Sequence, residues 1–247
     1  MKENKYDDDI FFQKYSQMSR SQQGLAGAGE WETLRKLLPD LKDKRVLDLG
    51  CGYGWHCIYA MEHGASSVVG VDISHKMLEV AKEKTHFPQV EYKCCAIEDV
   101  EFPEESFDVI LSSLAFHYVA DYEILVKKIY RILKSGGKLV FTVEHPVFTA
   151  YGTQDWYYNE KGEILHFPVD NYYYEGKRTA VFLGEKVTKF HRTLTTYLNT
   201  LLSNGFIINH IVEPQPPENM MDIPGMQDEM RRPMMLIVSA NKNCYTT

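Results

Sequence analysis

The chain has few cysteines, and none has the spacing of a metal site. Five occur in 247 residues, namely Cys51, Cys57, Cys94, Cys95 and Cys244. An odd number without a Cys-x-x-Cys pair disfavours a disulfide framework and a structural zinc site. The sequence therefore predicts free thiols and no metal.

Long apolar runs are also missing. No segment approaches the ~20 apolar residues that a membrane helix needs. The first residues, which include Asp7, Asp8 and Asp9, are too polar for a signal peptide. We expect a cytoplasmic protein without a membrane partner.

Basic residues are outnumbered by acidic ones. The chain has 27 Lys and Arg against 34 Asp and Glu, a formal net charge of −7. Proteins that bind nucleic-acid backbones need a basic face, and Arg231-Arg232 is too short to supply one. The composition therefore predicts no nucleic-acid partner.

What the sequence does contain is an alternation of strands and helices. Short apolar runs and amphipathic segments give a βαβ rhythm typical of an α/β protein with a doubly wound, parallel sheet. Strands are predicted at 44–50, 67–72, 90–95, 107–113, 137–143, 206–212 and 234–239. Helices are predicted at 55–63, 74–85 and 121–134, with a late helix that begins near Leu194 and ends at Asn204-Gly205. Ser74 is the expected N-cap of the second helix, and Ser135-Gly136-Gly137 the expected cap after Lys134.

Residues 145–187 interrupt this rhythm. The segment is too long for an ordinary connection, which predicts a structured insertion. One hairpin is expected over 156–167 with its turn near Gly162, and a second between 171–174 and 179–183 around Gly176. Ligands bind at the carboxyl edge of such sheets, so we expect a substrate lid. Its tyrosines either line a pocket or simply pack on one face.

The first strand runs into a glycine loop. Val46 to Leu49 precede Gly50, Gly52 and Gly54, and a second apolar strand ends in Asp72. Glycines let backbone N–H groups approach an anionic ligand, and a carboxylate can accept hydrogen bonds from a ribose diol. Together they predict a nucleoside-containing cofactor.

Two details argue against a dinucleotide. The Gly-x-Gly-x-x-Gly fingerprint requires a third glycine at position 55, where this chain has Trp55. Asp48 lies inside an apolar strand, where an unpaired charge is costly, and a cationic ligand nearby would account for it.

The chain resembles the class I S-adenosylmethionine-dependent methyltransferases. Four blocks carry the resemblance in order, at 46–54, 69–74, 102–113 and 133–140. The resemblance implies a seven-stranded, mostly parallel sheet with an antiparallel last strand and a hairpin-rich insertion after strand five. It also implies S-adenosylmethionine as cofactor and S-adenosylhomocysteine as product. One methyltransferase domain over 1–247 is expected, with an N-terminal helical lid (1–43), a cofactor core (44–144), the insertion (145–187), and a C-terminal helix and hairpin (188–247).

The resemblance also assigns cofactor residues. The backbone of Gly50, Cys51 and Gly52 would face the methionine part, Asp48 its amino group, and Asp72 the ribose. Adenine would lie against Ile73, Met77, Ala96 and Ile97, although core packing is the alternative for Met77. Cys95 stands where an acid often occurs, so backbone groups or Glu98 would substitute. Ser112, Tyr15 and Arg20 complete the set, with Arg20 paired to the cofactor carboxylate.

The acceptor is less constrained. The Asn/Asp-Pro-Pro-Tyr sequence of many amino-methylating relatives is missing, and Ser112 to Tyr118 looks like the small-molecule branch. His117, His145 and His191 are candidate bases, and structural hydrogen bonding is the alternative for each. An inactive nucleoside-binding protein, an RNA methyltransferase and an NAD-dependent dehydrogenase remain as other functions. The acceptor atom and the oligomeric state stay open.

Overall fold

A seven-stranded sheet forms the centre of the computed structural model, which describes residues 3–244. Its strand order is β10-β11-β5-β4-β1-β2-β3. The strands within residues 3–244 are β1 (Arg45–Leu49), β2 (Ser67–Asp72), β3 (Val90–Cys94), β4 (Phe107–Ser113), β5 (Leu133–Glu144), β6 (Tyr157–Tyr158), β7 (Ile164–His166), β8 (Gly176–Phe182), β9 (Glu185–His191), β10 (Phe206–Val212) and β11 (Met235–Lys242). The predicted domain includes residues 1, 2 and 245–247, which lie outside the described residues.

The sheet has the predicted direction pattern. β1 to β5 pair in parallel, whereas β11 runs antiparallel to both β5 and β10. The predicted α/β fold with an antiparallel last strand is therefore confirmed.

Helices cover both faces of this sheet. They are α1 (Asp9–Ser16), α2 (Ser19–Gln22), α3 (Trp31–Arg35), α4 (Trp55–Glu62), α5 (His75–Lys84), α6 (Tyr122–Ile132), α7 (Pro146–Ala150) and α8 (Leu194–Ser203). Alternate residues of β1 serve the two faces, since Leu47 packs in the cluster with α6 and α8 and Val46 in the cluster with α3 and α4. Ser74 caps α5 as predicted, because its Oγ accepts a 3.1 Å bond from Met77 N.

The predicted helix end at Lys134 was wrong. α6 ends at Ile132, and Leu133 already pairs with Phe107 of β4. Gly136, at φ +71°, lies where the β4–β5 register shifts. Pairing of Leu133 with β4 therefore ends the helix before the glycines. The glycines lie instead in an irregular part of β5, where the pairing register shifts.

The insertion contains two hairpins. β6 and β7 pair around Gly162 as predicted. The second hairpin joins β8 to β9 through Leu183 and Gly184, both at positive φ, so the prediction of strands flanking Gly176 was wrong. Residues 171–174 instead form a turn. β9 continues to His191, beyond the end of the predicted segment.

The N-terminal segment covers the carboxyl edge of the sheet. Phe11 of α1 packs against Ala180 and Val187 of the second hairpin. Glu3 accepts a hydrogen bond from Thr188 N at 3.0 Å, and Lys14 Nζ donates to Leu183 O at 2.9 Å. Segment and hairpin together form a roof over this edge.

Among residues 3–244, no helix is both long enough and apolar enough to cross a bilayer.

A matched glycine pair tests the packing of the loop that opens α4. Gly54 (φ +75°) and Gly162 (φ +78°) have similar backbone angles, but a Cβ at Gly54 would lie 2.2 Å from Tyr92 Oη and one at Gly162 meets nothing within 4 Å. Gly162→Ala should lower the unfolding free energy by roughly 1–2 kcal/mol through left-handed strain. Gly54→Ala should lower it by more. Equal losses in chemical denaturation would contradict this packing.

Candidate active site

A cavity of about 1110 Å³ lies at the carboxyl edge of the parallel strands. Its walls come from the glycine loop, the N-terminal segment, the second hairpin and residues 214–235. This volume exceeds the roughly 300–1,000 Å³ of typical ligand pockets. It therefore offers room for a cofactor and a second molecule.

The loop after β1 is tied to β2. Gly50 N and Cys51 N both donate to Val71 O, at 2.8 and 2.9 Å. A Cβ at Gly50 would lie 2.5 Å from the Cβ of Ala115, whereas one at Gly52 meets nothing within 4 Å. Gly50 is thus required for packing, and Gly52 leaves open space on the cavity wall.

Asp72 lies on this wall and holds the loop. Its Oδ2 accepts from Gly52 N and its Oδ1 from Ser74 N, each at 2.9 Å. Burial raises the pKa of this carboxyl, an effect that the two backbone bonds oppose. Each oxygen has a further lone pair for a ligand hydroxyl.

Arg20 pairs with Glu30 in the same half of the cavity. Burial favours a raised pKa for Glu30, but the adjacent guanidinium outweighs it and holds this pKa below its ordinary value. Glu30 is 3% exposed, and within residues 3–244 its Oε2 has no hydrogen-bond partner. Sequence reasoning missed Glu30, because nothing local distinguishes it from a surface acid before a helix.

Asp48 lies outside the cavity, which corrects its predicted position. It shares the face of β1 with Val46 and is covered by α4, with Cys57 Sγ 3.6 Å and His56 Nδ1 3.9 Å from its Oδ2. Burial raises its pKa to about 7. The alternation of side chains along β1 turns Asp48 away from the ligand edge.

Other predicted cofactor residues divide between the cavity wall and the interior. The wall includes Tyr15, Arg20, Gly50, Gly52, Asp72, Ile73, Met77, Ala96 and Ile97. Cys51 is buried away from this wall, near Gly70. Ser112 donates to Leu49 O at 2.7 Å and connects β4 to β1 instead.

Two of the three predicted bases do not line the cavity. His145 caps α7, since its Nδ1 accepts from Val147 N at 3.1 Å, and its Nε2 lies 2.8 Å from Glu213 Oε1. His191 is fully buried between Thr149 Oγ1 (2.7 Å) and Tyr172 O (2.8 Å). Both bonding patterns are structural, so the prediction of a base at either position is corrected.

His117 does line the cavity. Its Nδ1 accepts from Glu144 N at 3.3 Å, so a neutral ring carries its proton on Nε2. Burial lowers the pKa of this ring to about 4, which keeps it neutral near physiological pH. In this tautomer His117 presents a hydrogen-bond donor to the cavity, and its predicted role as a base stays a prediction.

Sequence reasoning also missed a buried ion pair beside His117. Lys189 and Glu144 both line the cavity, with Nζ and Oε1 separated by 2.5 Å. Lys189 is one of three alternating buried residues in β9, with Val187 and His191. The sequence did carry one indication of this pair, namely a lysine at a strand position whose alternate neighbours are buried.

The tyrosine-rich segment, for which a pocket and simple packing were both open, divides between surface and cavity. Tyr173 and Tyr174 are 88% and 75% exposed, whereas Trp156 and Tyr158 contribute to the cavity wall. Residues 171–174 form an exposed turn, so Tyr173 and Tyr174 take neither role.

The sheet order, the glycine loop and the acid after β2 define a Rossmann-like nucleoside-binding fold. Comparison with known proteins identifies its family. A family model described as a methyltransferase domain matches residues 47–141. A candidate S-adenosylmethionine-dependent methyltransferase from Listeria monocytogenes is 57% identical, with a TM-score of 0.86 over 89% of this chain and 99% of that one.

Two further relatives agree over most of the chain. An S-adenosylmethionine-dependent methyltransferase from Mesorhizobium loti is 41% identical, with a TM-score of 0.82 over 88% of this chain and 100% of that one. An uncharacterized protein of Haemophilus influenzae is 35% identical over 96% of both chains. The chain therefore belongs to the class I S-adenosylmethionine-dependent methyltransferases, and S-adenosylmethionine is its cofactor.

The raised pKa of Asp48 predicts that the stability of the folded protein falls as pH rises. Between its ordinary value of 3.8 and about 7, the folded protein holds a proton that the unfolded chain releases. This contribution to stability is complete at low pH and is lost as pH rises through about 7, by about 4 kcal/mol at most. Asp48→Asn removes this ionisation. The unfolding free energy of the variant, relative to that of the wild type, should therefore be higher at about pH 8 than at about pH 5.

Chemical denaturation at both pH values measures this gain. Asp43→Asn is the control, because Asp43 is exposed and asparagine tolerates its φ of 60°. A gain that is independent of pH would contradict the assignment to Asp48.

Proposed function

We propose that this methyltransferase acts on a small molecule bound between the cofactor loop and the hairpin insertion. The observation that carries the proposal is the continuity of one cavity from Asp72 to Lys189, beneath the roof of the second hairpin. Apolar side chains supply much of the far wall, among them Phe148, Trp156, Phe182, Met220 and Met226. Such a lining suits a compact, partly apolar acceptor.

The residues of the near half fit S-adenosylmethionine. The open space at Gly52 and the spare lone pairs of Asp72 suit the sugar and its neighbouring backbone contacts. We assign the amino-acid end to Arg20 and Glu30, because a guanidinium binds a carboxylate and the unpartnered Glu30 Oε2 suits an ammonium. Glu30 thereby takes the role first expected of Asp48.

The adenine wall is proposed from its apolar residues. Ile73, Met77, Ala96 and Ile97 all line the cavity, as does Glu98. Met77 is 2% exposed, so it serves the core and this wall together.

When bound, S-adenosylmethionine supplies an electrophilic methyl group. The proposed contribution of the chain is to orient the acceptor and exclude water, and positioning of this kind can supply up to ~7–11 kcal/mol. His117 fits such a role as a donor to the acceptor. No proton transfer to its ring is invoked.

The proposed partner is not a nucleic acid. The net charge of −7 opposes binding to a phosphate backbone, and the roof narrows the approach to the cavity. We also propose a cytoplasmic location, which suits five cysteines without paired spacing.

Asp72→Asn should weaken binding of S-adenosylhomocysteine, because the amide exposes donors where the ribose hydroxyls need acceptors. Hydrogen bonds to a charged group contribute about 1.5–3 kcal/mol, and we expect a loss of at least this size by calorimetry. Asp170→Asn, at an exposed position of the insertion, should bind as the wild type does. An unchanged dissociation constant in Asp72→Asn would contradict the assignment.

Radiolabelled cofactor tests the acceptor class directly. The protein is incubated with methyl-labelled S-adenosylmethionine and with separated small-molecule, RNA and protein fractions of a cell extract. We expect label to enter the small-molecule fraction, with matching release of S-adenosylhomocysteine. Label in RNA or protein alone would overturn the small-molecule proposal, and cofactor binding without turnover in any fraction would favour an inactive binding protein.

A further inference from the structure

Lys189 is an unusual residue for a cavity wall. It is 2% exposed, and a buried ammonium is costly unless it is paired. Its Nζ donates to Glu144 Oε1 at 2.5 Å and to Gln154 Oε1 at 2.8 Å, while Gln154 Nε2 donates to Glu144 Oε2 at 2.6 Å. These bonds use two of the three N–H groups of the lysine.

The backbone conformation of Gln154 indicates that its side chain is held in a fixed position beside the ion pair. Its φ is +65°, a left-handed conformation that residues with a side chain rarely adopt. This conformation accompanies side-chain bonds to both members of the ion pair. The network therefore fixes the position of the Lys189 ammonium.

Positive charge exceeds negative charge around His117. Lys189 and Arg192 both act on its ring, against the single carboxylate of Glu144. Arg192 lies directly behind the cavity wall, because its Nη2 donates to the carbonyl oxygens of Val119 and Ala120. In a buried site this excess is screened less than it would be at the surface.

The excess is local to His117, because the cavity wall as a whole carries more acidic than basic side chains. Away from His117 the wall includes Glu3, Asp72 and Glu98 against Lys5 and Lys177, and Arg20 pairs with Glu30. Asp228 and Glu229 also line it, but they are paired with Arg231 and Arg232.

Around His117 the wall thus combines donors with a local positive excess, beside an apolar surface. The Nε2–H of His117 and the third N–H of Lys189 are the donors, and Phe182 lies 5.6 Å from the Lys189 ammonium. Resting on the proposed function, we infer that the acceptor is an organic acid, whose ionised oxygen binds Lys189 and His117 while its apolar body contacts the aromatic wall.

Matched pairs of probes test this inference. The protein is first saturated with S-adenosylhomocysteine, and calorimetry then measures binding of naphthalene-2-carboxylate, benzoate and decanoate against the primary amide of each. Charge-assisted hydrogen bonds contribute about 1.5–3 kcal/mol, so the acids should bind at least about tenfold more tightly than their amides. A panel without this preference, including one in which no acid binds, overturns the inference.

Variants locate the preference. The double variant Lys189→Met/Glu144→Gln removes both charges without leaving either unpaired, and it should abolish the difference between acid and amide. His117→Phe is the second variant, which removes the Nε2 donor at similar size and should reduce the difference. Lys186→Met is the matched control, since Lys186 is exposed on the same strand and should retain it.

The outcomes separate the two proposals. If S-adenosylhomocysteine binds but acids have no preference, the acceptor inference fails and the proposed function stands. If label enters only RNA or protein in the radiolabel experiment, the proposed function fails. Retention of the preference in both Lys189→Met/Glu144→Gln and His117→Phe would also overturn the inference.

Discussion

The carboxylate of Asp72 is the contact on which the proposed cofactor half of the site depends. It accepts Gly52 N from the glycine loop and Ser74 N from the start of α5, so one side chain fixes two backbone segments at the strand ends. Ser74 in turn caps α5 and donates to Asp7 Oδ1 at 2.6 Å. The geometry of the loop and the docking of the N-terminal segment therefore share one anchor.

The N-terminal segment makes hydrogen bonds on both sides of the cavity. Asp7 accepts from Lys76 N at 3.1 Å on the cofactor side, and Glu3 accepts from Thr188 N on the hairpin side. Tyr6 lies between them, with its hydroxyl 3.4 Å from that of Tyr118. The proposed cofactor half and the proposed acceptor half thus lie beneath the same short segment, and one cavity spans both.

Local signals in the sequence were sufficient for the fold and for part of the wall of the candidate site. The glycine loop and Asp72 were predictable because their roles follow from backbone conformation and from position at a strand end. Asp48 was misplaced because its position in the alternation of β1 puts its side chain beneath α4. His145 was misplaced because its side chain caps α7. Lys189 and Glu30 escaped notice because their partners, Glu144 and Arg20, lie on other elements.

A crystal structure with S-adenosylhomocysteine bound tests the central claim most directly, because it locates the cofactor and the acceptor space at once. We expect the ribose at Asp72, the amino-acid end at Arg20 and Glu30, and the sulfur facing the wall formed by His117 and Lys189. A ribose bound away from Asp72, or a sulfur directed away from that wall, would contradict it.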